Sequence, residues 1–320
     1  MPAIIYTTHA GPELGNAFAD VISGKYSPAG RLAQTWYKSE YELAPIECYD
    51  IIENDMTYLY YRGKPLYPFG YGLSYAKFEY SDFNVKENGD VISVSLDVAN
   101  VSETDSDEVV QIYFRMENPS VKRPLRQLVA FARERIEGGR TRHFEFDIKK
   151  SELRFYDVSR ERFAVEQGRY TFMAGASSED IRLTKTIDVS GEIIPPRELC
   201  KGVKAKNYDG KYGTKMKYSK KLEQHYMLGG GLIYNNCVLG EADSIEIVCG
   251  SRVNTGKITV RYGGETLCEA EVKPTVDVTE FETVTAQFDK AVLAGIDREK
   301  PAVFELLMPE QIYILGFRTY

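Results

Sequence analysis

The chain has 320 residues, of which 43% are hydrophobic, and its formal net charge is -7. This length favours two or three domains. The acidic balance argues against a nucleic-acid partner, because phosphate binding needs a concentrated basic surface. A membrane partner is also not expected, because no apolar run reaches the roughly 20 residues that a spanning helix needs.

The cysteine and histidine content predicts neither a metal site nor a cofactor. Five cysteines and three histidines are scattered along the chain without metal-type spacing. The odd number of cysteines leaves at least one free thiol. This favours a reducing compartment, and hence the cytoplasm, while secretion stays open as the alternative.

The first 24 residues predict one strand, one loop and one helix. Residues 3–7 form an apolar stretch typical of a short buried strand, and Pro12 suits the first turn of a helix. Leu14 and the apolar residues after it recur at helical spacing up to Gly24, which can end the helix. Because a lone strand and helix cannot bury their apolar surfaces, we expect a domain whose earlier strands precede this chain.

His9 follows the predicted strand. Ligands of open α/β sheets bind beyond the carboxyl ends of the strands. His9 is therefore a candidate residue at the border of a sugar pocket, and an ordinary loop histidine is the alternative.

Residues 57–80 are rich in tyrosine, phenylalanine and glycine. Glycines allow tight bends, and aromatic rings supply contact area. We expect this segment to pack over a neighbouring surface, with stacking against sugars as the alternative.

From residue 81 onward the pattern is that of antiparallel strands. Ile92, Val94, Leu96 and Val98 alternate with polar residues, and similar alternation recurs to residue 192. Pro195-Pro196 predicts a linker, and a second alternating block follows. The predicted fold is mainly β: a remnant of an α/β sandwich domain with its aromatic connection (1–80), then two antiparallel β-sandwiches (81–192 and 193–320).

Two stretches resemble the C-terminal part of glycoside hydrolase family 3. Residues 13–24, followed by Ser27-Pro28-Ala29-Gly30-Arg31-Leu32, resemble the last helical region of the family's α/β sandwich domain. Residues 58–61 and 65–75 resemble its most recognisable C-terminal motif. Residues 109–113, 123–124, 127–128 and 168–170 are similar to the fibronectin type III-like domain found in many members.

The last block resembles a family 6 carbohydrate-binding module at residues 205–210, 231–234 and 256–261. Lys206 stands where calcium-binding modules carry Glu, so the resemblance implies no calcium site of the usual type. Phe281 takes roughly the place of a sugar-stacking Trp. Tyr208, Tyr234 and Phe281 are the candidate sugar contacts, and the rings of Tyr212, Tyr218 and Tyr226 are further candidates.

The resemblance implies a β-glucosidase or β-xylosidase that retains configuration and acts on β-linked oligosaccharides or polysaccharides. Such hydrolysis needs two carboxyl groups about 5 Å apart. In the family one lies on an N-terminal barrel and the other upstream of the segment matched here, so we assign no catalytic residue and expect this chain alone to be inactive.

Glu13 and Asp20 share a face of the predicted helix and are interpreted as structural, with Glu13 favoured by the helix dipole. The carboxylates of residues 103–108 are interpreted as a solvated turn, with Ca²⁺ binding as the alternative. The expected partners are thus a β-linked glycan and the missing barrel region. A stand-alone binding protein is the alternative. A third interpretation is that the sandwiches brace the enzyme or its homodimer.

Overall fold

The structure, a computed structural model, describes residues 4–8, 11–46, 48–275 and 280–320. The chain forms two compact units. Unit 1 comprises residues 1–119, 123–154 and 165–191, and unit 2 comprises residues 120–122, 155–164 and 192–320. Over the described residues, no helix has both the length and the apolar character needed to cross a membrane.

Unit 1 begins with the helices α1 (Leu14–Ile22) and α2 (Thr57–Tyr60) and a 3-10 turn (Glu40–Glu42). As predicted, Gly24 terminates α1: it lies two residues beyond Ile22, has a φ of 75°, and donates its N–H to the carbonyl of Val21 at 3.0 Å. The strand predicted from residue 3 is wrong over residues 4–7, which join no sheet. A strand needs a hydrogen-bonding neighbour, and no strand of the described residues pairs with residues 4–7, where Ile4 is 65% exposed.

Nine strands follow in the next part of the chain, with a 3-10 turn at Lys150–Leu153. They are β1 (Phe78–Asn88), β2 (Val91–Asn100), β3 (Ser106–Met116), β4 (Gln127–Ile136), β5 (Thr141–Lys149), β6 (Phe155–Asp157), β7 (Arg162–Ala164), β8 (Gly168–Gly175) and β9 (Ile181–Val189). In unit 1 a three-stranded sheet has the order β1-β2-β5, and a four-stranded sheet has the order β4-β3-β8-β9. All pairings in both sheets are antiparallel.

The two sheets of unit 1 enclose one apolar core. The alternation in β2 is confirmed, because Ile92, Val94, Leu96 and Val98 are at most 1% exposed and the intervening residues are not buried. Strand β3 supplies apolar residues to the same core from the other sheet. The predicted antiparallel β-sandwich is therefore present, and the mainly-β fold class is confirmed.

Unit 2 contains ten further strands, a 3-10 turn (Leu199–Lys201) and α3 (Lys290–Gly295). They are β10 (Arg197–Glu198), β11 (Val203–Lys204), β12 (Gly210–Tyr212), β13 (Lys215–Ser219), β14 (Gln224–Val238), β15 (Ser244–Ser251), β16 (Gly256–Tyr262), β17 (Glu265–Val272), β18 (Glu282–Gln287) and β19 (Ala302–Thr319). All ten belong to one continuously hydrogen-bonded sheet.

The long strands β14 and β19 allow one sheet to surround a core. The register between β14 and β19 shifts at a bulge formed by Gly229 and Gly230, whose φ values are 62° and 72°. Before this bulge it pairs with β13, and after it with β12. The glycines thus bend β14 so that its two halves serve different parts of the sheet.

The hairpin of β6 and β7 also belongs to unit 2. Glu161 in its turn accepts hydrogen bonds from Lys204 at 2.7 Å and from Asn207 at 3.1 Å. Arg162 and Arg160 both bond the carboxylate of Glu192, which lowers the pKa of Glu192 to about 2. Charge-assisted bonds therefore hold the hairpin in unit 2.

Candidate functional site

The structure corrects the prediction of a sugar contact at Tyr234. This ring has no exposed surface, and its hydroxyl donates to the carbonyl of Ala205 at 3.0 Å. Burial also raises the pKa of Tyr234 far above its usual range. Stacking on a sugar needs an accessible ring face, so Tyr234 is a core residue.

Tyr208 and Phe281 are both half-buried. Tyr208 packs against the main core of unit 2, with the Lys211 ammonium 5.9 Å from its ring centroid. Phe281 meets the ring of Tyr313 edge-on at a centroid distance of 5.0 Å, and that of Tyr226 at 6.0 Å. Tyr208 lies on the core cluster and Phe281 on a separate aromatic cluster, so the predicted contacts do not form one site.

His9, the predicted pocket-bordering residue, lies outside the described residues. Where the chain is described, no group of three or more His, Cys, Asp or Glu side chains is arranged to hold a metal ion.

The acidic run of residues 103–108 is mostly bound to arginines in unit 1. Asp105 accepts from Arg135 at 3.2 Å, and Asp107 accepts from Arg133 at 2.7 Å. Glu108, although predicted to be solvated, has a side chain only 2% exposed that forms an ion pair with Arg31 at 2.9 Å. The solvated interpretation is wrong for Glu108, because residues far earlier in the chain cover it.

The aromatic segment of residues 57–80 packs on strand β3. The ring of Tyr58 stacks on Phe69 at a centroid distance of 4.1 Å, and its edge meets Tyr113 at 6.1 Å. The amide of Gln111 donates to the carbonyl of Gly70 at 3.1 Å. The rings of Tyr58 and Phe69 are thus engaged in packing within unit 1, as predicted, whereas Tyr75 of the same segment is 50% exposed.

Tyr212 offers the most complete platform in unit 2. It is 49% exposed and lies on the short strand β12 opposite Gly231 of β14. A Cβ added to Gly231 would stand 2.2 Å from the Tyr212 ring, so the ring lies directly on the glycine backbone. The absence of a side chain at Gly231 fixes the ring flat against the sheet and leaves its other face to solvent.

Two charged side chains lie beside this ring on the same outer face. Leu306 faces the core, so its neighbour Glu305 points to the opposite side of β19. Arg261 of β16 is directly opposite Glu305 in register. Burial raises the pKa of the Tyr212 hydroxyl, the Glu305 carboxylate raises it further, and Arg261 lowers it.

Arg261 is itself half-buried. Its Nε is buried and has no hydrogen-bond partner among the described residues. The outer face therefore combines an aromatic ring, a carboxylate and a guanidinium, which we call the Tyr212 platform (Tyr212, Gly231, Arg261 and Glu305). Sequence alone does not single out Tyr212, because only the register with Gly231 separates it from the other tyrosines.

The carboxylate of Asp209, three residues after Lys206, is buried and forms an ion pair with an arginine. The Asp209 side chain is 8% exposed and pairs with the Arg197 guanidinium at 3.2 Å. Arg197 also donates to the carbonyl of Asn207 at 2.7 Å. Burial raises the pKa of Asp209, and the Arg197 charge partly offsets that effect. This carboxylate is neutralised by a side chain of the same unit.

Two parts of the chain match known domain families. Residues 1–75 match the glycosyl hydrolase family 3 C-terminal domain, and residues 108–178 match the fibronectin type III-like domain.

Curated proteins similar to this chain include a beta-glucosidase and a beta-xylosidase. A thermostable beta-glucosidase B of Acetivibrio thermocellus is 34% identical over 199 residues, which cover 57% of this chain and 26% of the relative. A xylan 1,4-beta-xylosidase of Xylanibacter ruminicola is 34% identical over 186 residues, which cover 57% of this chain and 21% of the relative. The chain thus spans about a quarter of the length of these relatives.

Solved structures show the same partial similarity. Beta-glucosidase 3B of Thermotoga neapolitana, in complex with alpha-D-glucose, aligns with a TM-score of 0.52 and 29% identity over 58% of this chain and 28% of that chain. The beta-glucosidase of Kluyveromyces marxianus, in complex with glucose, aligns with a TM-score of 0.52 and 31% identity over 55% and 23%.

Proposed function

Because the chain carries the glycosyl hydrolase family 3 C-terminal domain and a fibronectin type III-like domain, we propose that it is the accessory part of a β-glycoside hydrolase. In this proposal the protein that contains it is a retaining β-glucosidase or β-xylosidase. Unit 1 supports the catalytic region, which contributes the nucleophile and the acid/base.

The observation that carries this proposal is the partial match to β-glucosidases and a β-xylosidase, about a quarter of each relative's length. The chemistry of unit 1 agrees with a supporting role. Retaining hydrolysis needs two free carboxyl groups about 5 Å apart, whereas Glu108 and Asp107 are each bound to an arginine. These two carboxylates are therefore engaged in ion pairs and are not available to attack a sugar.

The complete reading frame that contains this chain tests the proposal. Its purified product is expected to hydrolyse aryl β-glucosides or β-xylosides with retention at the anomeric carbon. A control product that ends before the residues matched here is expected to lose activity together with its folding transition. A complete reading frame that encodes no further domain would contradict the proposal.

We propose, as a second and separate function, that unit 2 binds neutral β-linked glycans at the Tyr212 platform. A pyranose presents an apolar face of C–H groups that can stack on the exposed ring. Glu305 and Arg261 can then accept from and donate to the hydroxyl groups at the rim of the same sugar. The proposal also rests on the expectation, drawn from residues 205–210, 231–234 and 256–261 of the sequence, that the last block is a carbohydrate-binding module.

Calorimetric titration of the full chain with soluble β-glucan and xylan oligosaccharides tests this binding. Tyr212→Ala is expected to weaken binding roughly tenfold, about the contribution of one aromatic contact. Tyr156→Ala is a matched control, because Tyr156 is also 49% exposed in unit 2. Binding that is absent for both glycans, or is unaffected by Tyr212→Ala, would refute this function.

A further inference from the structure

The positive charge of unit 2 is concentrated in one short part of the chain. Residues 201–221 contain eight lysines and a single carboxylate, Asp209, although the whole chain has a net charge of -7. Asp209 is buried and paired with Arg197, so it does not neutralise the lysines. This segment therefore gives an acidic protein one strongly basic surface.

Four of these lysines lie together on strand β13 and the turn after it. Lys215 and Lys217 alternate along β13, so they share one face, and Lys220 and Lys221 follow directly; all four are exposed. Elsewhere in the segment Lys204 is paired with Glu161. Within the described ranges no ion pair involves these four, and we name Lys215, Lys217, Lys220 and Lys221 the lysine edge.

The lysine edge is accessible and carries an aromatic ring. Among the strands that the structure describes, β13 pairs with β14 alone, so none of these strands covers its other side. Tyr218 is 53% exposed, and its ring lies 5.1 Å from that of His225. Glu223, in the same turn as Lys220 and Lys221, is an exposed carboxylate. Because side chains alternate along a strand, Tyr218 lies on the face of β13 opposite Lys215 and Lys217. A chain lying along the open edge would therefore have these two ammonium groups on one side and the aromatic ring on the other.

We infer that the lysine edge binds an anionic polysaccharide, one whose sugars carry carboxylates. Ammonium groups pair with the carboxylates, and the Tyr218 ring contacts the apolar face of a sugar. The edge is separate from the Tyr212 platform, since β13 pairs with the first half of β14 and β12 with the second half. The choice of a polysaccharide as the ligand rests on the proposed association with glycoside hydrolases. The attraction of the lysine edge to a polyanion follows from its charge alone.

Two alternative roles of the lysines are the binding of a nucleic acid and the protection of an open edge strand. A nucleic-acid duplex carries one charge per 1.7 Å or so and needs a long basic footprint, which the acidic remainder of this chain does not offer. Lysines on an open edge strand also prevent pairing with other chains, and that role needs no ligand.

Affinity electrophoresis and calorimetry of the full chain with polygalacturonate, at low and high salt, test the inference. The chain is expected to bind polygalacturonate with an affinity that falls as salt rises, and to bind an uncharged β-glucan with no salt dependence. Replacing all four lysines of the edge with Gln is expected to weaken binding roughly tenfold or more, since each exposed pair contributes modestly. Lys290→Gln, on α3, is the matched control and is expected to change nothing.

Two further variants keep the test decisive even if the fourfold variant folds poorly. Glu223→Gln removes a negative charge from the turn that carries Lys220 and Lys221, and is expected to strengthen binding to polygalacturonate. Tyr218→Ala is expected to weaken binding while leaving its salt dependence unchanged. No binding by the unaltered chain, or equal affinity for duplex DNA, would overturn the inference. Neither result depends on hydrolase activity. The outcome of this binding test is therefore independent of whether the proposed hydrolase function is confirmed or refuted.

Discussion

The buried ion pair between Arg31 and Glu108 is expected to be essential to the stability of unit 1. Arg31 Nη2 lies 2.9 Å from Glu108 Oε2, and the two side chains are only 10% and 2% exposed. The Tyr80 hydroxyl donates to the other carboxylate oxygen at 2.8 Å. Burial, followed by the Glu108 charge, raises the pKa of Tyr80 well above its usual range, so this hydroxyl stays a donor.

The substitution Arg31→Met leaves the Glu108 carboxylate buried with Tyr80 as its remaining strong donor. Breaking a buried pair in this way costs about 3–5 kcal/mol, because the uncompensated charge stays out of water. Replacing both partners with Met removes that charge as well. The double variant is therefore expected to regain most of the lost free energy of unfolding.

Urea unfolding followed by the fluorescence of Trp36 measures this effect. Trp36 is the single tryptophan of the chain and lies in unit 1, where its backbone N–H bonds the carbonyl of Tyr67 at 2.9 Å. Arg135→Met is the matched control. Its pair with Asp105 is exposed, at 63% and 43%, and is expected to contribute less than about 1 kcal/mol. A loss below about 1 kcal/mol in Arg31→Met, or a double variant no more stable than the single one, would refute the reasoning.

Two further predictions concern unit 2. Gly230→Ala is expected to destabilise unit 2 by at least about 2 kcal/mol more than Gly240→Ala, measured by urea unfolding and circular dichroism. Both glycines have positive φ, of 72° and 62°, but an added Cβ meets a backbone oxygen at 2.3 Å only at Gly230; equal losses would contradict the account of the bend. The Glu192 carboxyl is expected to titrate near pH 2 by NMR, because hydrogen bonds from Arg162 and Arg160 lower its pKa from 4.5 to about 2. Since the folded-state pKa is the lower one, this contribution to stability is full above about pH 4.5 and is lost as the pH falls through about 2; a midpoint near 4.5 would show that the bonds do not form in solution.

The sequence predicted the strands of unit 1 well because burial there follows the period of a strand. Ile92 to Val98 alternate between core and surface, and this alternation is visible without any tertiary information. The termination of α1 just before Gly24 was predictable for a similar local reason. The strand expected at residues 4–7 was not found, because pairing depends on a neighbouring strand that local sequence does not provide.

The site in unit 2 was harder to predict because it depends on strand register. Tyr234 and Tyr212 are alike in sequence terms, yet one is fully buried and the other is 49% exposed over Gly231. The bulge at Gly229 decides which residues of β14 face the core. The hairpin around Glu161 illustrates the same limit, because its grouping with residues 192–320 arises from long-range ion pairs.

The most direct test of the central claim is the hydrolysis of aryl β-glucosides and β-xylosides by this 320-residue chain alone. The account assigns it supporting and binding roles, so turnover is expected to equal the uncatalysed rate at every pH tested. Turnover well above that rate, abolished by replacing a single carboxylate of this chain with its amide, would contradict the account.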